Sequence, residues 1–154
     1  MIEARIRDRS VQVGSGTPAQ VFSQHKALAH DYWAFANLVA FQGSTLPLLY
    51  GHAHEHAQAA LQHCPQDGGL QFLFGRILLI ERQLDAASDA FENARQSGID
   101  ARQIEPFLAE IAYLTRRYSD VKNHLIQAGN SGGQPRLNKS STYWEVSNND
   151  VVPT

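Results

Sequence analysis

Two stretches of this chain fall on one another at an offset of 34 residues. Leu84, Ala87, Phe91 and Ala94 are matched by Tyr118, Val121, Leu125 and Ala128, and Ala53 and Ala60 stand one period before Ala87 and Ala94. The apolar positions in each stretch follow helical spacing. A period of this length holds two short helices and their turns. Such a unit cannot bury its apolar face alone, so several must lie side by side. Small side chains let the second helix of a pair approach the first, and Ala53, Ala60, Ala87, Ala94 and Ala128 supply them. Phe91 and Leu125 are the large residues that fill the space between neighbouring pairs.

The punctuation divides the chain into six helices between two irregular ends. Residues 1–16 read as an N-terminal arm, in which Ile2, Ile6, Val11 and Val13 alternate loosely with polar residues and leave a short strand open. Thr17-Pro18 is a helix start, with Thr17 as N-cap and Pro18 at the first helical position. That first helix reaches about Gln42, carries Val21, Phe22, Leu28, Tyr32, Phe35, Leu38 and Val39 as its stripe, and stops at Gly43-Ser44-Thr45. A second helix extends from about Leu46 to His63, closed by Pro65. The third covers about 69–82, the fourth about 84–97 up to Gly98, the fifth Asp100 to Arg117, and the sixth about 119–128 with Ser119 as N-cap. From Asn130 onward the composition turns to Ser, Gly, Asn, Gln and Pro, so residues 130–154 read as a flexible tail that Tyr143-Trp144 or Val151-Val152 could dock. The expected architecture is all-α: three stacked antiparallel helix pairs over 17–129, between a flexible arm and a flexible tail.

Composition narrows the function classes. Of 154 residues, 43% are hydrophobic, enough for a core, and the net charge is only -2. Lys and Arg are scattered without a basic stripe, so nucleic-acid binding has no electrostatic support. No apolar run approaches 18 residues, so a membrane span is not expected. The N-terminus lacks the apolar core of a signal peptide. The single cysteine, Cys64, excludes an internal disulfide and suits a reducing compartment. The expected location is therefore cytoplasmic. There is no phosphate-binding Gly loop, nucleophile elbow or acidic cluster, and no enzyme or cofactor is expected.

Residues 53–128 resemble tetratricopeptide repeats, through the 34-residue register and the stretch Leu84-Asp85-Ala86-Ala87 to Phe91-Glu92-Asn93-Ala94. In the first-helix signature Gly75 fits, whereas Ala109 stands at the equivalent place one repeat later. Pro106-Phe107-Leu108-Ala109-Glu110 and Phe72-Leu73-Phe74-Gly75 are also similar to segments of the small chaperones that hold translocator proteins of bacterial type III secretion. The resemblance implies a curved stack with the first helix of each pair on the concave side, holding a segment of another protein.

The third helix is apolar nearly all round. Leu70, Phe74, Ile77 and Leu78 form one stripe, expected to face its own pair; Phe72, Leu79 and Ile80, with Arg76 among them, form another. Such a helix is either buried on both sides or carries an exposed binding face. By register the fifth helix adds Pro106, Phe107, Glu110, Tyr113 and Leu114. Phe72, Arg76, Leu79, Phe107, Glu110 and Tyr113 are thus the expected lining of a groove for a protein or peptide segment with apolar anchors. Self-association through the same stripe is the structural alternative.

The histidines raise a metal-binding alternative. His52 and His56 are one helical turn apart on one face, whereas His54 points elsewhere. Glu55 and His63 lie near that face without completing a tetrahedron, so the expectation is a polar outer face and no metal. His25 and His30 are expected at the surface.

Overall fold

In the computed structural model, residues 1–43 and 47–130 are described. They form seven helices and, among the described residues, no strand. The expected tail, with Tyr143-Trp144 and Val151-Val152, lies outside the described residues, as do Ser44, Thr45 and Leu46. The chain divides into two compact units, Met1–Ile99 and the residues from Asp100 onward.

The first unit contains α1 (Ile2–Gln12), α2 (Pro18–Phe41), α3 (Pro47–His63), α4 (Gly68–Ile80) and α5 (Leu84–Gln96). Antiparallel neighbours α2–α3 and α4–α5 pack as pairs. The expected irregular arm is the helix α1, which packs on α2. The strand reading fails because period-four contacts outweigh the loose alternation. Ile6 is buried while Val11 is 84% exposed, and Arg5 and Arg9, one turn apart, both reach Asp31 of α2. Asp31 is itself buried, at 6% exposure.

Helix α2 starts as the sequence indicates. The Gln20 N–H donates to the Thr17 hydroxyl, and the Thr17 N–H donates back to Gln20 Oε1 at 2.7 Å, a reciprocal cap. Its buried side is Leu28, Ala29, Trp33 and Ala36, whereas Leu38 from the expected stripe is 45% exposed. On α3, Ala53, Ala57 and Ala60 are all fully buried, as are Ala87 and Ala94 on α5. Asp67 caps α4 by accepting from the Leu70 N–H at 2.8 Å. Gly98 (φ +96) follows α5.

The second unit contains α6 (Ala101–Leu114) and α7 (Tyr118–Asn130), again an antiparallel pair. Asp100 caps α6 by accepting from the Arg102 N–H at 2.9 Å. Helix α6 ends at Leu114, before the expected Arg117, and α7 begins at Tyr118, so Ser119 lies inside its first turn and is not the N-cap.

The reason is a turn with arginine at its left-handed position, found after α4 and again after α6, 34 residues apart. After α4, the Arg82 N–H donates to the Leu79 carbonyl (3.1 Å) and the Gln83 N–H to the Leu78 carbonyl (2.9 Å). After α6, the Arg116 N–H donates to the Tyr113 carbonyl (3.0 Å) and the Arg117 N–H to the Ala112 carbonyl (2.8 Å). Both are Schellman closures. Their left-handed residue is arginine each time, with φ of 63° at Arg82 and 61° at Arg116. Glycine usually takes that place, so the helix stop carried no sequence signal.

Candidate functional site

Helix α4 buries its first stripe, and Leu79 of its second, in the opposite sense to the expected one, while Ile80 is 45% exposed. Leu70, Leu73 and Ile77 join a core with Ala29 and Trp33 of α2 and Ala53, Ala57 and Ala60 of α3, and Phe74 packs against it. They therefore face the preceding pair. Phe72 instead meets Phe91 of α5, edge to face, with ring centroids 5.9 Å apart. Gly75 lies under the same ring: a Cβ there would stand 2.8 Å from a Phe91 ring carbon. The stripe expected to line a groove thus includes the contact with α4's own partner helix.

Leu79 is 7% exposed, which makes it a packing residue and removes it from any open surface. The Arg76 guanidinium lies over Trp33 at 4.8 Å from the ring centroid and over Phe72 at 5.8 Å. Burial pushes it below its ordinary pKa range. Cation–π contacts of this kind contribute about 0.5–2 kcal/mol. Phe72 and Arg76 lie together, half-buried and engaged with their own unit.

On α6, Phe107, Glu110 and Tyr113 follow one another at three-residue intervals. Phe107 is half-buried, Glu110 is exposed and Tyr113 is 62% exposed. Tyr113 meets Tyr118 at the start of α7, edge to face, with centroids 5.9 Å apart. Tyr118, Leu125 and Ile126 of α7 are likewise exposed. Tyr113 and Glu110 keep the character expected of surface groups. Tyr118 is added by the fold, because the turn at Arg116 returns the chain beside Tyr113.

Ile104, Leu108, Ile111 and Ala112 are buried on α6, together with Glu105, a carboxylate at 0% exposure. His124 of α7 places Nδ1 2.6 Å from Glu105 Oε2. Sequence reasoning passed over this pair. The signal was present: Glu105 stands one helical turn before Leu108 and Ala109, in the buried register.

The histidines of the first pair gather more than their spacing suggested. His52 and His56 share a face of α3, and Tyr32 of α2 lies against both, with centroids 5.0 Å and 5.6 Å away. His25, expected at the surface, is half-buried and sets Nδ1 2.9 Å from His56 Nδ1. His30 is exposed. His54 points away from this group, to Glu81 at 2.7 Å and to the edge of Phe74. Among the described residues, no three His, Cys, Asp or Glu side chains are grouped as a metal site requires. No helix among them is long and apolar enough to cross a membrane.

Neither a protein-family model nor a curated protein matches the chain.

Proposed function

We propose that this chain is a protein-binding helical-repeat module of the tetratricopeptide kind, an adaptor or chaperone that holds an apolar segment of another protein and does no chemistry of its own. The reading takes the α4–α5 and α6–α7 pairs as two copies of one unit, in keeping with their matching turns. The observation that carries the binding role is the exposed aromatic pair Tyr113–Tyr118, with Glu110 on α6 and Leu125 and Ile126 on α7 exposed as well. Exposed apolar groups gathered on one small pair mark interaction surfaces. Tyrosine suits them, since its ring gives apolar area and its hydroxyl a polar handle. Phe107, one turn before Glu110 on α6, is half-buried. The narrower assignment, to translocator chaperones in the cytoplasm, rests on the resemblance of Pro106-Phe107-Leu108-Ala109-Glu110 and of Phe72-Leu73-Phe74-Gly75.

Co-purification with the full chain, followed by mass spectrometry, identifies the partner. Tyr113→Ala is then expected to weaken binding about 30-fold or more, the effect of an aromatic anchor worth about 2 kcal/mol. Its helical circular dichroism should stay unchanged, because Tyr113 is largely exposed. A Tyr113→Ala chain that binds as tightly as the parent would sink the proposal. A concentration-dependent mass in light scattering that Tyr113→Ala abolishes would assign the face to self-association instead.

A further inference from the structure

We propose that the contact between His25 and His56 is an acid-released clasp, which holds α2 on α3 near neutral pH and lets the first helix pair loosen in mild acid. The argument begins with proton positions. A bond between two Nδ1 atoms 2.9 Å apart needs one ring to carry its proton on Nδ1 and the other to offer its Nδ1 lone pair. A first added proton is tolerated, because it goes to the outer nitrogen of the donor ring. The second must land on the accepting Nδ1 itself. Two N–H groups on two cations then face each other, and attraction becomes repulsion.

The surroundings favour the uncharged pair. Tyr32 stacks on His56, with the rings 15° from parallel, and fully buried Ala53, Ala57 and Ala60 lie on the same helix. Burial lowers the pKa of both His25 and His56 below 6.5. The charges nearby mostly act the same way: His63 on His25, and His25 and His52 on His56, with Glu55 alone opposing. On the α2 side, Lys26 is held by Asp67 at 2.5 Å, and the Asp31 carboxylate by Arg5 and Arg9 of α1. Burial raises Asp67, but the Lys26 and Leu70 hydrogen bonds outweigh it and hold the carboxyl below its usual range. His30, exposed at its edge and one turn and more along α2, is lowered by partial desolvation of its ring and then by Lys26, against Asp67 and Asp31.

The sign of the pH effect follows. The unfolded chain takes up protons on these histidines near pH 6.5, whereas the folded chain resists until lower pH. Their contribution is complete above about pH 6.5 and is lost as pH falls toward the folded values. His54 and His124 each place Nδ1 beside a carboxylate oxygen, at 2.7 Å and 2.6 Å, and not beside another histidine's Nδ1. The α6–α7 pair holds a single histidine, so it has no histidine–histidine contact and serves as an internal control.

The test uses the full chain and nuclear magnetic resonance. At about pH 7.5, histidine nitrogen shifts are expected to show one of His25 and His56 with its proton on Nδ1, the minor form of a free imidazole. Between about pH 7.5 and 5, amide protection factors in α2 and α3 should fall, because opening the pair lets both rings take up the proton that the contact excludes. Those in α6 and α7 should not. His56→Gln, which cannot titrate, should flatten that response. Both rings protonated on Nε2 at neutral pH would overturn the proposal, as would undiminished α2–α3 protection at pH 5 or the same fall in H56Q. The tautomer measurement needs no variant, so it decides even where H56Q fails to fold.

Discussion

Pairs α4–α5 and α6–α7 close with the same turn, bond for bond, yet fill the space between their helices differently. In the first, Gly75 lies against the fully buried Phe91. Thirty-four residues on, Ala109 and Leu125 hold those places, and Leu125 is 52% exposed. Gln71 and Ala90 of the first become Glu105 and His124 of the second, a polar clasp with its carboxylate at 0% exposure. The backbone closure is copied, while the contact between helices is settled in pairs of side chains. Where one partner shrinks the other grows, and where one gains charge the other gains a donor.

That contrast can be broken most forcefully at Phe91. Phe91→Ala should cost about 3–5 kcal/mol, as expected for a large buried ring, in urea unfolding followed by circular dichroism. Leu125→Ala, half in solvent, should cost under about 1 kcal/mol. Equal losses would mean that the two positions are packed alike. Next in size is Gly75→Ala. Helix propensity favours alanine by about 1 kcal/mol, but its Cβ collides with a ring that has no room to move. A net loss of about 1–2 kcal/mol is expected. Gly75→Ala together with Phe91→Leu, which installs the other pair's solution, should recover part of it; a double variant no better than the sum of the singles would refute the exchange of volumes.

The smallest effect probes what the pairs share. Arg82→Gly and Arg116→Gly should each stabilise by about 0.5–1 kcal/mol, since a left-handed residue with a Cβ is strained by about 1–2 kcal/mol and glycine gives back some of the relief as unfolded-state entropy. Thermal midpoints measure it. A gain at one turn and a loss at the other would separate the two closures.

Several helix boundaries were legible from a cap or a breaker, although Ser119, read as an N-cap, lies inside α7. Thr17-Pro18, Pro65 and Gly98 each stand at a boundary in the fold. Of the five alanines expected at close approaches, Ala53, Ala60, Ala87 and Ala94 are fully buried, whereas Ala128 is half-buried. What failed was orientation. Leu79 and Phe72 were placed on an open face, because an all-round apolar helix offers no polar side to aim it by. The α1 helix was hidden too, since its contact with α2 depends on Arg5 and Arg9 meeting Asp31, three charged residues that a hydrophobic pattern does not register. Of the candidate surface, Glu110 and Tyr113 were readable from register. Tyr118 was not, because its place beside Tyr113 depends on an arginine adopting a glycine-like conformation.

The joint at Asp31 also redraws the edge of the folded module. A recombinant fragment trimmed to Thr17 would look tidy, since it starts on a well-formed helix cap. It would also strip both guanidinium groups from a carboxylate at 6% exposure. The eleven residues of α1 behave as a lid screwed onto the first pair, with Ile6 as the gasket and two arginines as the thread. Added salt would work on the same joint as the trimming does, because it screens charges that reach into solvent. Fragment boundaries and buffer strength are therefore one variable for this protein, and a stability measured on a shortened chain would describe a different object.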